Sequence, residues 1–310
     1  MTDQESIARA AKILRAGGLV AFPTETVYGL GANALDAEAV RKIYETKGRP
    51  STSPLIVHVS SVAMARELVD EWPKAAAILA REFWPGPLTL VLRKKPVVPD
   101  EITAGLPTVG VRIPAHPIAL ALLEAAGVPL AAPSANRFTE LSPTTAEHVR
   151  AGLGGRIECI LDGGPTTVGI ESTVLSLADD RPVLLRPGML SRQEIERWIG
   201  PVEEVGDIGE AHPAPGLHEK HYSPRTPLWI VSATDKLPES GHGAYLHWSE
   251  AKPGAENIRM SSSAVDYAAQ IYKTLHDCDE RGFDWIAVER VPAHEDWAGV
   301  RDRLSRAARS

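Results

Sequence analysis

Apolar and polar positions switch between a helical period and a strand period along the first 200 residues. Residues 6–16 repeat apolar positions at helical spacing and stop at Gly17-Gly18. Residues 19–22 then form a short apolar run closed by Pro23. Asp36 predicts the N-cap of a helix running to Thr46, residues 55–59 read as a strand, and Ser61 caps a helix through Val69. Strands are expected at 88–92 and 109–113, and Pro117 suits the first turn of a helix ending at Gly127. Residues 130–132 form a strand edge, and Thr144 caps a helix through Leu153. Further strands fall at 157–161, 173–177 and 183–185, before the capping box Ser191-Arg192-Gln193-Glu194 opens a helix that closes at Gly200. Several strands follow one another without a helix between, so the pattern predicts α/β with a twisted mixed sheet.

Residues 201–226 break the pattern with Pro213, Pro215, Gly216 and Pro224, which predicts a linker. Beyond it, strands at 228–231, 245–246 and 285–288 and helices at 264–276 and 297–308 predict a small α/β domain. The expected division is therefore 1–200, a linker at 201–226, and 227–310.

Composition narrows the classes. Hydrophobic residues make up 44% and charged residues 24% of the 310 residues, a globular balance. No apolar run approaches the ~20 residues that span a bilayer. The start carries Asp3 and Glu5 where a signal peptide would carry bases, so a cytoplasmic location is expected. Cys159 and Cys278 are too few and too distant for a disulfide framework or a cysteine-rich zinc site. Residues 1–200 hold 21 Lys and Arg against 22 Asp and Glu, and residues 201–310 hold 12 against 18. That is not the basic excess of a nucleic-acid binder, so any bound anion is small and held by a few placed cations.

Candidate chemistry clusters at strand ends. Pro23-Thr24-Glu25-Thr26 with Gly29 and Gly31 is either a turn with satisfied hydroxyls or a ligand loop. Lys47-Gly48-Arg49-Pro50 either complements a helix dipole or converges on phosphates. It is not a Walker loop. His58 lies in an apolar strand, where a structural role is the commoner reading. Arg112 sits in another apolar strand and requires a partner: a bound carboxylate, or an internal Asp or Glu. Pro133-Ser134-Ala135-Asn136, Ser142-Pro143-Thr144-Thr145, Gly169-Ile170-Glu171-Ser172-Thr173 and Arg186-Pro187-Gly188 complete the set. Nucleophile elbow, GxGxxG and HExxH motifs are absent from the sequence. His218 and His221 alone are weak grounds for a metal. Four cations, hydroxyls and one histidine suit the joint binding of a polyphosphate and a carboxylate rather than covalent catalysis.

Taken in order, residues 23–31, 47–59, 108–114, 133–136 with 142–149, 169–174 and 186–188 resemble the YrdC-like family of threonylcarbamoyl-adenylate synthases. Residues 214–224 resemble the segment joining the catalytic domain to a Rossmann-like C-terminal domain in its long, two-domain form, which implies a linker that closes over the active site. The resemblance implies a nucleotidyltransferase making threonylcarbamoyl-AMP and pyrophosphate from L-threonine, bicarbonate and ATP with Mg2+, its product passing to proteins that modify tRNA. It implies catalytic roles for Lys47, Arg49 and Arg112, and threonine contacts from Thr26, His58, Arg112, Ala132 and Ser172. It implies ATP contacts from Lys47, Arg49, Ser53, Thr108, Ser134, Asn136, Ser142, Arg186 and Tyr222. Ser53, Phe138, Thr139 and Ser176 depart from the usual pattern. The alternatives are a double-stranded RNA-binding protein or a regulatory nucleotide-binding protein without catalysis; weak RNA binding is also carried as a partner of the enzyme.

Overall fold

The computed structural model describes residues 3–204 and 222–308. The central part of the expected linker, with His218 and His221, lies outside the described residues. The chain runs α1 (Gln4–Arg15), β1 (Val20–Phe22), β2 (Gly29–Asn33), α2 (Ala37–Lys47), β3 (Ile56–His58), α3 (Val62–Leu68), α4 (Lys74–Phe83), β4 (Leu88–Arg93), α5 (Asp100–Thr103), β5 (Thr108–Arg112) and α6 (Pro117–Ala126). It continues through β6 (Leu130–Ala131), α7 (Ala146–Leu153), β7 (Cys159–Ile160), β8 (Thr173–Ser176), β9 (Val183–Arg186), α8 (Arg192–Ile199) and β10 (Glu203–Glu204). The second unit holds β11 (Leu228–Val231), β12 (Gly243–His247), β13 (Glu256–Arg259), α9 (Ala264–Arg281), β14 (Trp285–Glu289) and α10 (Ala298–Ala307).

The first ten strands form one mixed sheet in the order β10-β9-β8-β4-β5-β3-β6-β2-β1-β7. The period of two along its strands divides its faces. Val57, Val109 and Val111 enter the main core, with Ala39, Ile43, Leu79 and Ile195 from α2, α4 and α8. Ile56, His58, Gly110 and Arg112 alternate with them and turn to the opposite face, in parallel register between β3 and β5. Part of that opposite face is covered by α1 and α6, through Ala10, Leu14, Leu122 and Leu123.

The second unit is a four-stranded, wholly parallel sheet in the order β11-β14-β12-β13. Its core takes in Val27, Leu141 and Ile170 from the first unit, together with Tyr267, Ile271 and Leu275 of α9. Close backbone approach seals the seam. A Cβ at Gly169 would lie 2.2 Å from the Ala268 carbonyl oxygen, and one at Gly299 would lie 2.7 Å from that of Gly188. His148 and His276 stack across the seam with ring centroids 3.8 Å apart.

Most expected elements are present with boundaries shifted by a residue or two. Asp36, Ser61 and the Ser191–Glu194 box cap their helices as expected. Thr145, not Thr144, caps α7, because its hydroxyl is the one that accepts from His148 N–H. The structure adds β2, α4, α5 and β13, and α9 continues to Arg281.

Candidate active site

A cleft opens on the sheet face opposite the main core, at the seam between the two units. Its wall includes Thr26, Arg49, His58, Arg112, Ala132, Ser134, Ser172, Arg186 and Tyr222, all expected from the sequence. It also includes Thr24 and Glu171, whose roles the sequence did not reveal.

The turn after β1 is built by Thr24. Its hydroxyl donates to the Val27 carbonyl at 2.7 Å and accepts from the Thr26 and Val27 N–H groups at 3.2 Å. With that proton spent, the 2.8 Å contact between the two hydroxyls has Thr26 as donor. Thr26 in turn accepts from Arg112 Nη1 at 3.0 Å. Arg112 also donates from Nε to the Gly86 carbonyl at 3.0 Å and from Nη2 to Glu25 Oε1 at 2.6 Å. The internal-acid alternative for Arg112 is therefore present, with Glu25 held in place by Ala115 N–H at 3.0 Å. Of the five N–H groups of a guanidinium, these bonds leave two for a ligand.

His58, beside Arg112, is buried and its Nδ1 has no hydrogen-bond partner among the described residues. Burial, and then the Arg112 charge, pushes its pKa down to about 3. The ring is thus neutral at physiological pH and offers the cleft a hydrogen-bonding nitrogen. An unfolded histidine takes up a proton near pH 6.5 while folded His58 does so only near pH 3. Its contribution to stability is complete above pH 6.5 and is lost as the pH falls toward 3. Thermal unfolding at pH 7 and pH 4.5 should show a loss on acidification that is smaller in His58→Asn. An equal loss in the variant would show that His58 does not titrate this way.

Arg49 and Arg186 supply the other cationic part. Arg49 donates to the Ser53 carbonyl at 3.4 Å and the Pro54 carbonyl at 3.1 Å, and packs 5.8 Å from the Phe138 ring centroid. Its pKa is pushed down to about 10, chiefly by burial, with Tyr44 and Tyr222 opposing and Arg186 adding to the fall. Arg186 holds the Ser172 carbonyl at 2.9 Å and the Ser172 hydroxyl at 3.2 Å, and that hydroxyl lies 2.8 Å from Thr89 Oγ1. Burial lowers the Arg186 pKa as well, with Tyr222, Glu171 and Asp302 opposing and Arg303 adding to the fall.

Five expected residues lie outside the cleft wall, and for each the reason is geometric. Lys47 turns its ammonium to the Ser134 carbonyl at 2.6 Å and the Asn136 carbonyl at 2.5 Å. Burial, and then Arg49, holds its pKa well below the usual lysine range. Asn136 Nδ2 is spent on the Arg137 and Glu140 carbonyls at 2.9 and 2.8 Å. Ser142 donates to Glu171 Oε1 at 2.5 Å, and buried Ser53 presents its carbonyl to Arg49 and Tyr44. Lys47, Ser142 and Ser53 hold up the wall residues Ser134, Glu171 and Arg49, while the Asn136 side chain ties down its own loop. Thr108 shares a strand face with Arg112 but stands four residues away, ~13 Å along an extended strand.

Glu171 is buried against the second unit. Arg303 Nε reaches Oε2 at 2.6 Å, and the Tyr272 hydroxyl donates to Oε2 at 3.2 Å. Burial alone would raise its pKa, but Arg303 and then Arg186 bring it below the ordinary carboxylate value. Tyr222, near the end of the expected linker, is buried in the cleft wall with the Arg303 guanidinium 5.2 Å from its ring centroid. Among the described residues no group of three or more His, Cys, Asp or Glu is placed to hold a metal. No described helix is long and apolar enough to cross a membrane.

Residues 12–188 match the protein family described as "Telomere recombination", and residues 190–309 match that described as "Threonylcarbamoyl-AMP synthase, C-terminal domain". The chain is similar to the threonylcarbamoyl-AMP synthase of Bacillus subtilis, 44% identical over 99% of this chain and 94% of the relative. It is similar to that of Pyrococcus abyssi, 43% identical over 99% of this chain and 95% of the relative. The crystal structure of P. abyssi Sua5 complexed with L-threonine superposes with a TM-score of 0.91, at 41% identity, over 99% of this chain and 95% of that one.

Proposed function

The chain belongs to the threonylcarbamoyl-AMP synthase family, and from that membership we propose how its cleft joins L-threonine, bicarbonate and ATP. One observation carries the assignment of parts: Arg112 and His58 are neighbours in the cleft, Arg49 and Arg186 are neighbours in the same cleft, and all four are buried. A small amino acid fits the first pair and a polyphosphate the second.

Threonine lies against Thr26, His58, Ala132 and Ser172, its carboxylate on the two N–H groups Arg112 keeps for a ligand. Its amine and bicarbonate give a carbamate and water. A carbamate oxygen attacks the α-phosphorus of ATP, the bond to the β-phosphate oxygen breaks, and pyrophosphate leaves as threonylcarbamoyl-AMP forms. Arg49, Ser134, Arg186 and Tyr222 hold the nucleotide, with Lys47, Ser53, Asn136 and Ser142 behind them. Catalysis is positioning and charge neutralisation. Magnesium enters as part of the ATP substrate, held by phosphate oxygens and water. The one acid of the cleft not paired to Arg112, Glu171, is already engaged by Arg303, Tyr272 and Ser142. A cytoplasmic enzyme handing its product to the proteins that modify tRNA fits this chemistry. A duplex RNA reading fits less well, because Arg49, Arg112 and Arg186 are only 6%, 3% and 3% exposed and cannot reach the backbone of a double helix.

Pyrophosphate release from ATP and magnesium should require both L-threonine and bicarbonate, with the mass of threonylcarbamoyl-AMP appearing in step. ATP binding without such release would reject the synthase reading for this chain.

A further inference from the structure

We propose that Arg303 of α10 is a positioning residue for the nucleotide end of the cleft: it cancels the charge of Glu171 and fixes Glu171 and Tyr222 in the wall. The proposal rests on the ATP assignment above.

Arg303 belongs to the second unit, yet its side chain is only 1% exposed and reaches into the first. Nε donates to Glu171 Oε2 at 2.6 Å and Nη2 to the Glu171 carbonyl at 3.3 Å. Nη1 donates to the Pro187 carbonyl at 3.0 Å and to Asp302 Oδ2 at 2.5 Å. The face of the guanidinium meets Tyr222 at 5.2 Å, and Tyr222 lies 6.0 Å from Tyr272, which also holds Glu171. One planar group thereby ties together the segment before β8, the end of β9 and the end of the linker. A lysine has no such fork.

The charges explain why the cleft needs it. Glu171 lines the same cleft as Arg49 and Arg186. Asp302 is shared with Arg306, so Glu171, Asp302, Arg303 and Arg306 form a neutral group. Arg303 thereby offsets the negative charge that Glu171 sets in the cleft it shares with Arg49 and Arg186. Without the Arg303 charge, Glu171 would subtract from the field of those two arginines at the place where negative charge must bind. At an effective dielectric near 20, one uncompensated charge several ångströms from a phosphate weakens its binding by on the order of 10- to 100-fold.

The test uses the full chain. Arg303→Met should raise the KM for ATP roughly 10- to 100-fold and leave the KM for threonine within about threefold. Adding Glu171→Gln to Arg303→Met should recover most of the ATP KM, and Arg303→Lys should fall between wild type and Arg303→Met. A lower melting temperature with both KM values unchanged would overturn the proposal, as would an equal rise in both or no recovery with Glu171→Gln. If Arg303→Met does not fold, Arg303→Lys decides: its ATP KM should rise while its threonine KM stays within about threefold, and both values unchanged would overturn the proposal. ATP affinity measured by calorimetry keeps this separate from the synthase reading, which fails on its own if wild type releases no threonine-dependent pyrophosphate.

Discussion

Arg112→Ala is expected to raise the threonine KM by about 10- to 100-fold, with a much smaller change in the ATP KM, and to destabilise the fold. The catalytic part follows from the N–H groups that Arg112 keeps for a ligand, since a hydrogen bond to a charged group is worth about 1.5–3 kcal/mol. The stability part follows from Glu25. Its side chain is 10% exposed, that of Arg112 4%, and the pair lies 2.6 Å apart. Removing one partner of a buried pair costs about 3–5 kcal/mol, because the other charge is stranded. Arg112→Lys separates the two effects. It keeps a charge beside Glu25, so most of the stability should remain, while the bonds to Thr26 and Gly86 and the threonine fork are lost. Thermal unfolding and separate KM measurements check both variants. An ATP KM that rises as much as the threonine KM would remove Arg112 from the threonine end.

Truncation after Gly200 should leave a folded but crippled first unit. The cut removes Val202 from the main core and the edge strand β10, but the rest of the core lies before Gly200 and the sheet keeps its support. Val27, Leu141 and Ile170 would lose their cover, each forfeiting about 1.5–3 kcal/mol of burial. Glu171 would lose Arg303 and Tyr272, and the cleft would lose Tyr222. Misplacement of about 1 Å in a catalytic site costs about 100-fold, and turnover should fall by at least that much. Circular dichroism would show the fold retained and pyrophosphate release would show the loss. Unchanged turnover would mean that the second unit is only an appendage.

What could be read from the sequence was whatever has a local cause. Asp36, Ser61 and Ser191 announce helices because a cap is a contact across three residues. The cleft arginines stand out because a cation in an apolar strand has no local explanation. Other elements leave no such mark. α4 begins after Pro73 with no side-chain cap, so nothing signals its start. β2 is hidden by Gly29 and Gly31, residues that disfavour strands; yet a Cβ at Gly31 would lie 2.8 Å from the Phe22 ring, and only glycine fits. β13 is an edge strand whose Glu256, Asn257 and Arg259 look like a loop. Glu171 and Arg303 stand 132 positions apart, and Arg303 sits among Arg301, Asp302 and Arg306, a run that reads as a solvated helix face. The placement of Lys47 was equally hidden, since its backbone partners at Ser134 and Asn136 come together only in the folded sheet.

The separation of Glu171 and Arg303 also sets an order in time. A ribosome adding about 5–20 residues per second needs roughly 7–26 s to cover the 132 positions between them. During that interval the emerging first unit can fold around its own core with the Glu171 carboxylate still unmatched. Adenylate synthesis at full rate thus waits for α10 to leave the ribosome, and a chain stalled earlier turns ATP over only at the reduced rate of the truncated unit.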